Sequence, residues 1–267
     1  VIFCSGACSH LDTWDYKPEF AKWDGKELEG FDKKTGFFTE AVGPLMKSPF
    51  DWAQHGQSGM WVSELMPQLA KRVDDIALVR SMQTTNLTHE PALYLIHAGR
   101  MFPGHPTLGA WTVYGLGSEN QNLPAYVVLD DPRGLPVSGV ENWQAGYLPP
   151  QYQGTRFRSS GSPLLKLRPE VEQPPQIVQL ERDLLSRLDQ MHKAKRPRQP
   201  NLDARISSYE LAARMQLEAT DALDFSQETQ ATLDLYGIGR EPTDSYGRRC
   251  LIARRLVERG VRFVQLF

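Results

Sequence analysis

Residues 80–105, Arg-Ser-Met-Gln-Thr-Thr-Asn-Leu-Thr-His-Glu-Pro-Ala-Leu-Tyr-Leu-Ile-His-Ala-Gly-Arg-Met-Phe-Pro-Gly-His, follow the apolar run Ile76-Ala-Leu-Val79. The run reads as a strand, the Thr/Asn-rich stretch as a turn, and residues 89–99 as a helix whose first turn holds His89, Glu90 and Pro91. Strand, turn and helix in that order form the unit of α/β folds, which bind ligands in the crevice at the carboxyl ends of their parallel strands. The N–H groups of a helix N-terminus favour an anion there. Thr84 and Thr85 place two hydroxyls in that turn, with Asn86 beside them. An unactivated threonine is a poor nucleophile, so a metal or a base must activate it. Thr88 equally reads as an N-cap, with Glu90 suited to the positive end of the helix dipole.

The pattern repeats on either side. Val1-Ile-Phe-Cys4 reads as the tail of a buried strand, closed by the small-residue turn Ser5-Gly6-Ala7. Residues 15–60 have no sustained period and read as a long loop excursion, of the kind that usually carries function or shields a site. Trp61, Leu65 and Leu69 have helical spacing, which predicts a helix over 61–72 before the strand at 76–80. Thr107 to Leu116 reads as a helix and Ala125-Tyr-Val-Val-Leu129 as a buried strand ended by Asp130-Asp131-Pro132, with a Gly/Pro/aromatic loop over 132–170. A helical excursion at about 174–236 shows two stripes, Ile177/Leu180/Leu184/Leu188/Met191 and Leu202/Ile206/Tyr209/Ala213/Leu217. Stripes of this kind are packing surfaces, and these helices also offer a homo-oligomer interface. Between them the basic residues 193–198 read as a solvated loop. A helix over 247–260, with Gly260 as its C-cap, feeds the strand Val261–Phe267. The expected architecture is one α/β domain over 1–267, a mostly parallel sheet flanked by helices. Its last strand leaves the domain incomplete at the C-terminus, with an exposed edge that lowers stability.

Composition removes several alternatives. A formal charge of −2 over 267 residues offers no broad basic face for nucleic acid. No apolar stretch reaches the roughly 18 residues of a transmembrane helix. Cys4, Cys8 and Cys250 form neither a disulfide framework nor a zinc-finger pattern, and Cys4 reads as a buried strand residue.

The other chemistry-bearing stretch is Ser9-His-Leu-Asp-Thr-Trp-Asp15, just past the first strand. His10, Asp12 and Asp15 offer nitrogen and oxygen ligands for a hard or borderline divalent ion, against the plainer reading that they cap a turn. His55 lies in the polar loop His55-Gly-Gln-Ser-Gly59. His97 reads as a core or interface histidine. Asn142, Trp143 and Tyr147 read either as pocket residues able to stack a sugar or as loop residues covering a core.

Five blocks together resemble one family: Gly6-Ala-Cys-Ser-His-Leu-Asp-Thr-Trp-Asp-Tyr-Lys-Pro18, His55-Gly-Gln-Ser-Gly-Met-Trp-Val-Ser-Glu-Leu65, Val79-Arg-Ser-Met82 with Asn86-Leu-Thr-His-Glu-Pro-Ala92, Tyr114-Gly-Leu-Gly-Ser-Glu-Asn-Gln-Asn-Leu-Pro124, and Cys250-Leu-Ile-Ala-Arg-Arg-Leu-Val-Glu-Arg-Gly-Val-Arg-Phe-Val-Gln265. They are similar to the DUF1501 proteins, sulfatase-like members of the alkaline phosphatase-like superfamily found in planctomycete-type bacteria. The resemblance implies an exported, metal-dependent hydrolase of sulfate or phosphate esters, acting on a small-molecule or polysaccharide substrate with zinc or calcium. It implies that Asp12 or Asp15, with His10, holds the metal, that Thr84 or Thr85 attacks, and that His89 and His55 position substrate or a proton. Thr84 is the threonine such proteins usually show; Thr85 stands four residues before His89. The remaining Asp/His ligands are expected past the last strand. The formylglycine signature Cys-x-Pro/Ser-x-Arg is missing at Cys4 and Cys8, so a hydroxyl nucleophile is expected. The other class of function is a non-catalytic exported protein whose loop aromatics Trp143, Tyr147 and Tyr152 hold a polysaccharide or a protein partner.

Overall fold

A computed structural model describes residues 1–4, 6–27, 29–30, 42–158, 174–196 and 199–267. Ser5, parts of the two predicted loops (31–41 and 159–173), residues 197–198 of the basic stretch and the side chain of Leu217 lie outside the described residues. The chain is a mixed α/β protein with a small parallel sheet. It divides into two compact units, one of Val1–Phe3 with Thr88–Phe267 and one of Cys4–Leu87.

The larger unit is organised by three strands, β3 (Tyr126–Leu129), β4 (Thr155–Phe157) and β5 (Phe263–Leu266). Both β4 and β5 pair with β3 in parallel, and Ile2 bridges Leu266 in the same sense. All four residues of β3 are buried, and they alternate between two cores. Val127 and Leu129 join Leu123, Phe157, Met215, Ile252, Leu256 and Leu266 on one face. Tyr126 and Val128 join Val113, Trp143 and Phe267 on the other. That two-sided burial is why the strand reads as a continuous apolar run. The first face is covered by α7 (Pro200–Leu223) and α9 (Asp244–Glu258), the second by α5 (Leu108–Leu116) and the 3-10 turn Gly139–Trp143. Glycine lets the layers close at two places: a Cβ on Gly109 would meet the ring of Tyr126, and one on Gly247 the carbonyl of Tyr236. In α9, Arg255 is buried beneath α7; it donates to the carbonyls of Ala222 and Asp221 and pairs with Glu228.

Two elements of this unit run close to the sequence expectation. The helix α4 (His89–Ala98) begins after an extended Thr88 and stops at Gly99, whose φ of 70° is the left-handed C-cap conformation glycine tolerates. The strand expected at 261–267 is β5, shorter at each end. The N-terminal strand differs: Val1 and Ile2 are exposed at the sheet edge, and Cys4 is exposed rather than buried. The stripes of the helical stretch differ too. On α6 (Pro175–Ala194), Ile177, Leu180, Leu184, Leu188 and Met191 are all exposed among the described residues. On α7 the inward face is Ala204, Leu211, Met215 and Ala222, while Tyr209 points to solvent. On α7 the face turned to the core is thus the one opposite the aliphatic stripe, and it mixes Ala204 and Ala222 with Leu211 and Met215.

The smaller unit is where the sequence reading departs most. The expected helix over 61–72 is instead the strand β2 (Met60–Ser63), paired antiparallel with β1 (Trp52–His55), followed by the single turn α3 (Pro67–Ala70). Pro67 can open a helix but not continue one, and Trp61 and Val62 favour a pleated surface. Gly56 and Gly59, at φ 63° and 65°, make the connection. The Asp74 carboxylate accepts from the Gln57 and Ser58 N–H groups at 2.9 and 2.8 Å and so fixes that connection from outside. Residues 76–79 form no ladder among the described residues and are not a strand; they follow a 3-10 turn at Val73–Asp75. Val62, Ala70 and Val73 form the small core, with Trp14, Met60 and Met66 packed against it.

Candidate functional site

The stretch Ser9–Asp15 leaves the sheet edge after Ile2 and Phe3 and folds into the single turn α1 (His10–Thr13). Asp12 is half-buried, and its carboxyl is held below the usual carboxylate range by the hydroxyls of Ser9 and then Ser48. Asp15 takes a different part. Lys17 Nζ lies 3.0 Å from it and Arg80 Nη1 3.8 Å, so its carboxylate anchors the segment just before Thr84. His10 is exposed. Among the described residues no three His, Cys, Asp or Glu side chains converge as a metal centre. Asp12 is therefore an ionised oxygen donor without an assembled set around it, and Asp15 is committed to cations.

Thr84 and Thr85 lie exposed on a stretch without regular secondary structure, and Asn86 is half-buried beside them. His55 closes β1 opposite Met60 and is half-buried. These residues, with His10, Asp12 and Asp15, belong to the smaller unit. His89, Asn142 and Trp143 belong to the larger one. His89 is exposed on the first turn of α4.

Asn142 and Trp143 correct the expectation of pocket or substrate-binding residues. Both are buried. Asn142 Nδ2 donates to the carbonyls of Val137 and Gly139 at 2.7 and 3.0 Å, which shapes its own turn. Trp143 packs in the second core with its ring 5.7 Å from that of Phe267. The same turn is tied to α4 through Tyr94, whose hydroxyl meets Glu90 at 2.8 Å and also Glu141. The hydrogen bond to Glu141 first, then burial and the bond to Glu90, push the phenol up to about 12.

The carboxyl ends of the strands hold charged groups that the sequence reading passed over. Asp130, directly after β3, is buried and paired with Arg156 of β4. Asp131 is bound at both oxygens by Arg133, with Arg249 at 3.9 Å, and these cations, chiefly Arg133, hold its carboxyl near 2. Arg249 is itself buried and donates to the Phe267 carbonyl. The signal was present in the sequence: two adjacent aspartates at the carboxyl end of the most apolar strand.

His97 closes the same region. Its ring packs against Phe3 at 4.7 Å and Phe267 at 5.8 Å, with Nδ1 3.4 Å from Gln265 Nε2. Nε2 is buried with no partner among the described residues. Burial drives the imidazole down to about 4 from 6.5, so it folds neutral. A histidine whose folded value is lowered stabilises the fold above its unfolded pKa and loses that contribution as pH falls through the folded one. The window is therefore pH 6.5 down to 4, and the loss amounts to about 2–3 kcal/mol. Urea midpoints are expected to drop across pH 6.5–4.5 in the natural chain and to stay nearly level in His97→Phe. Parallel slopes for the two proteins would refute a buried neutral His97.

The family model of DUF1501, a protein family of unknown function, matches residues 1–267. Comparison with curated proteins and with solved structures finds no match.

Proposed function

We propose that this chain, which belongs to the DUF1501 family, acts as an exported hydrolase of sulfate or phosphate esters with an alkaline phosphatase-like fold. The observation that carries the reading is Asp12: an ionised carboxylate on the first turn after a parallel sheet edge, where such a fold would require a metal ligand. A divalent ion, zinc or calcium, would supply Lewis acidity toward an ester oxygen and toward a hydroxyl. The chain's own contribution is an exposed hydroxyl, Thr84 or Thr85, on a segment that the Asp15–Arg80 pair anchors four residues earlier. Arg80, with its side chain more than half exposed, is a cation available to the ester's charged oxygens.

The test is turnover of nitrophenyl phosphate and nitrophenyl sulfate by chelator-treated protein, then after adding zinc or calcium. Activity is expected only with metal, and Asp12→Asn is expected to raise the metal concentration required by about tenfold or more. Equal activity before and after chelation would sink the reading. A second reading, a non-catalytic binding protein for polysaccharide or a protein partner, is supported by one cluster. Trp111, Tyr114 and Tyr147 are exposed; the Trp111 ring makes edge contacts with both tyrosines, and Tyr152 lies 5.2 Å from Tyr114.

A further inference from the structure

Within the smaller unit, a cleft of about 280 Å³ is lined by Leu11, the chain neighbour of Asp12, and by Ser48. Ser48, one of the two hydroxyls that hold the Asp12 carboxyl, is also a wall residue of the cleft. The opposite character of its walls defines what it can take. Tyr16, Phe20 and Trp52 give it a flat apolar side. Tyr16 stacks between Trp52 at 5.2 Å and Trp61 at 4.4 Å, so this side is fixed before any ligand arrives. Lys17 and Lys47 give it cationic groups, each about half exposed. Their aspartate partners, Asp15 and Asp24, are not among the lining residues, and one carboxylate, that of Asp51, is. The wall around Lys47 is also preformed: Leu45 exchanges backbone hydrogen bonds with Gly25 and Lys26, and the Lys47 N–H donates to Asp24.

A ligand matching these walls has one flat, weakly polar face, hydroxyls for Ser48 and Asp51, and a net negative substituent for the lysines. We propose that the cleft is a subsite for one anionic sugar unit of a polysaccharide. The ring lies against Phe20 and Trp52, and its sulfate, phosphate or carboxylate is met by Lys17 and Lys47. The proposal rests on the ester-hydrolase reading in one respect only: the neighbouring Asp12 is what makes this a substrate subsite. The aromatic wall supplies apolar contact that is indifferent to charge, and the lysines supply the preference for the anionic unit.

The experiment is affinity electrophoresis of the full 267-residue chain through gels containing dextran sulfate or neutral dextran, with tryptophan fluorescence as a second readout. Retardation is expected with dextran sulfate and not with dextran. Its dissociation constant is expected to rise about tenfold in Lys17→Gln/Lys47→Gln and again in Phe20→Ala. Lys22→Gln, on the helix Pro18–Trp23 that supplies Phe20 but not itself a lining residue, is the control for general charge loss and should bind as the natural protein does. No retardation, equal retardation in all variants, or a control that weakens as much as the cleft variants would each overturn the proposal. Circular dichroism melting shows whether each variant folds, and the lysine pair, being exposed, decides the matter if Phe20→Ala does not. Selective retardation without ester turnover keeps the cleft and removes the hydrolase; turnover without selective retardation does the reverse.

Discussion

Replacing Trp143 with alanine is expected to lower the stability of the chain by about 3–5 kcal/mol. The indole is 1% exposed, packs with Tyr126, Val128 and Phe267, and lies on the turn whose backbone carbonyl accepts from Gly154 next to β4. Removing it costs both the transfer of a large aromatic surface and the cavity left behind, because β3 cannot move toward one core without leaving the other. A loss of that size is a large fraction of the 5–15 kcal/mol that holds a typical domain together. Urea unfolding with an unchanged m-value and a markedly lower midpoint is the expected result. A substrate-stacking tryptophan on an open loop would instead leave the midpoint almost unmoved, and that outcome would contradict the buried assignment.

The second large effect concerns activity. In the Thr84→Ala/Thr85→Ala chain, ester turnover under metal-loaded conditions is expected to fall by at least about 10³-fold, as removal of an attacking group does. Both side chains are exposed, so their truncation should leave stability within about 0.5 kcal/mol. The pairing of a large kinetic loss with an unchanged melting curve separates attack from scaffolding. The single variants then identify the nucleophile: one retains turnover and the other does not. Full activity in the double variant removes both threonines from the chemistry and leaves the metal dependence to be explained otherwise.

The parts of the fold that were legible in the sequence are those in which one local rule acts without competition. Gly99 ends α4 where a left-handed cap is needed, and the run Tyr126–Leu129 is apolar because both its faces are covered. Misreadings arose where two patterns coincided. Trp61, Leu65 and Leu69 fall at helical spacing, yet Leu65 and Leu69 are exposed, and Pro67 divides the segment into a strand and a turn. The run Ile76–Val79 is apolar without a strand partner among the described residues, since a strand depends on a neighbour that composition does not reveal. The three-residue β4 is too short to show a period. For the candidate site, the place of Asp12 on a short turn after an apolar start was legible. The commitment of Asp15 to Lys17 and Arg80 was not, because Arg80 lies far along the chain. Asp130 and Asp131 were visible but read as strand punctuation, and the burial of Asn142 and Trp143 depends on tertiary contacts.

The bond from Asp74 to the connection between β1 and β2 has a consequence for how this surface can vary. Surface loops ordinarily accept insertions at small entropic cost. Here the Gln57 and Ser58 amides are addressed to one carboxylate seventeen and sixteen positions away, and a Cβ on Gly56 would collide with that carboxylate. Length, conformation and the acid are thus one joint specification. A change in any of the three costs stability unless the others change with it, so a solvent-facing tetrapeptide here carries the kind of geometric restriction usually met in the interior.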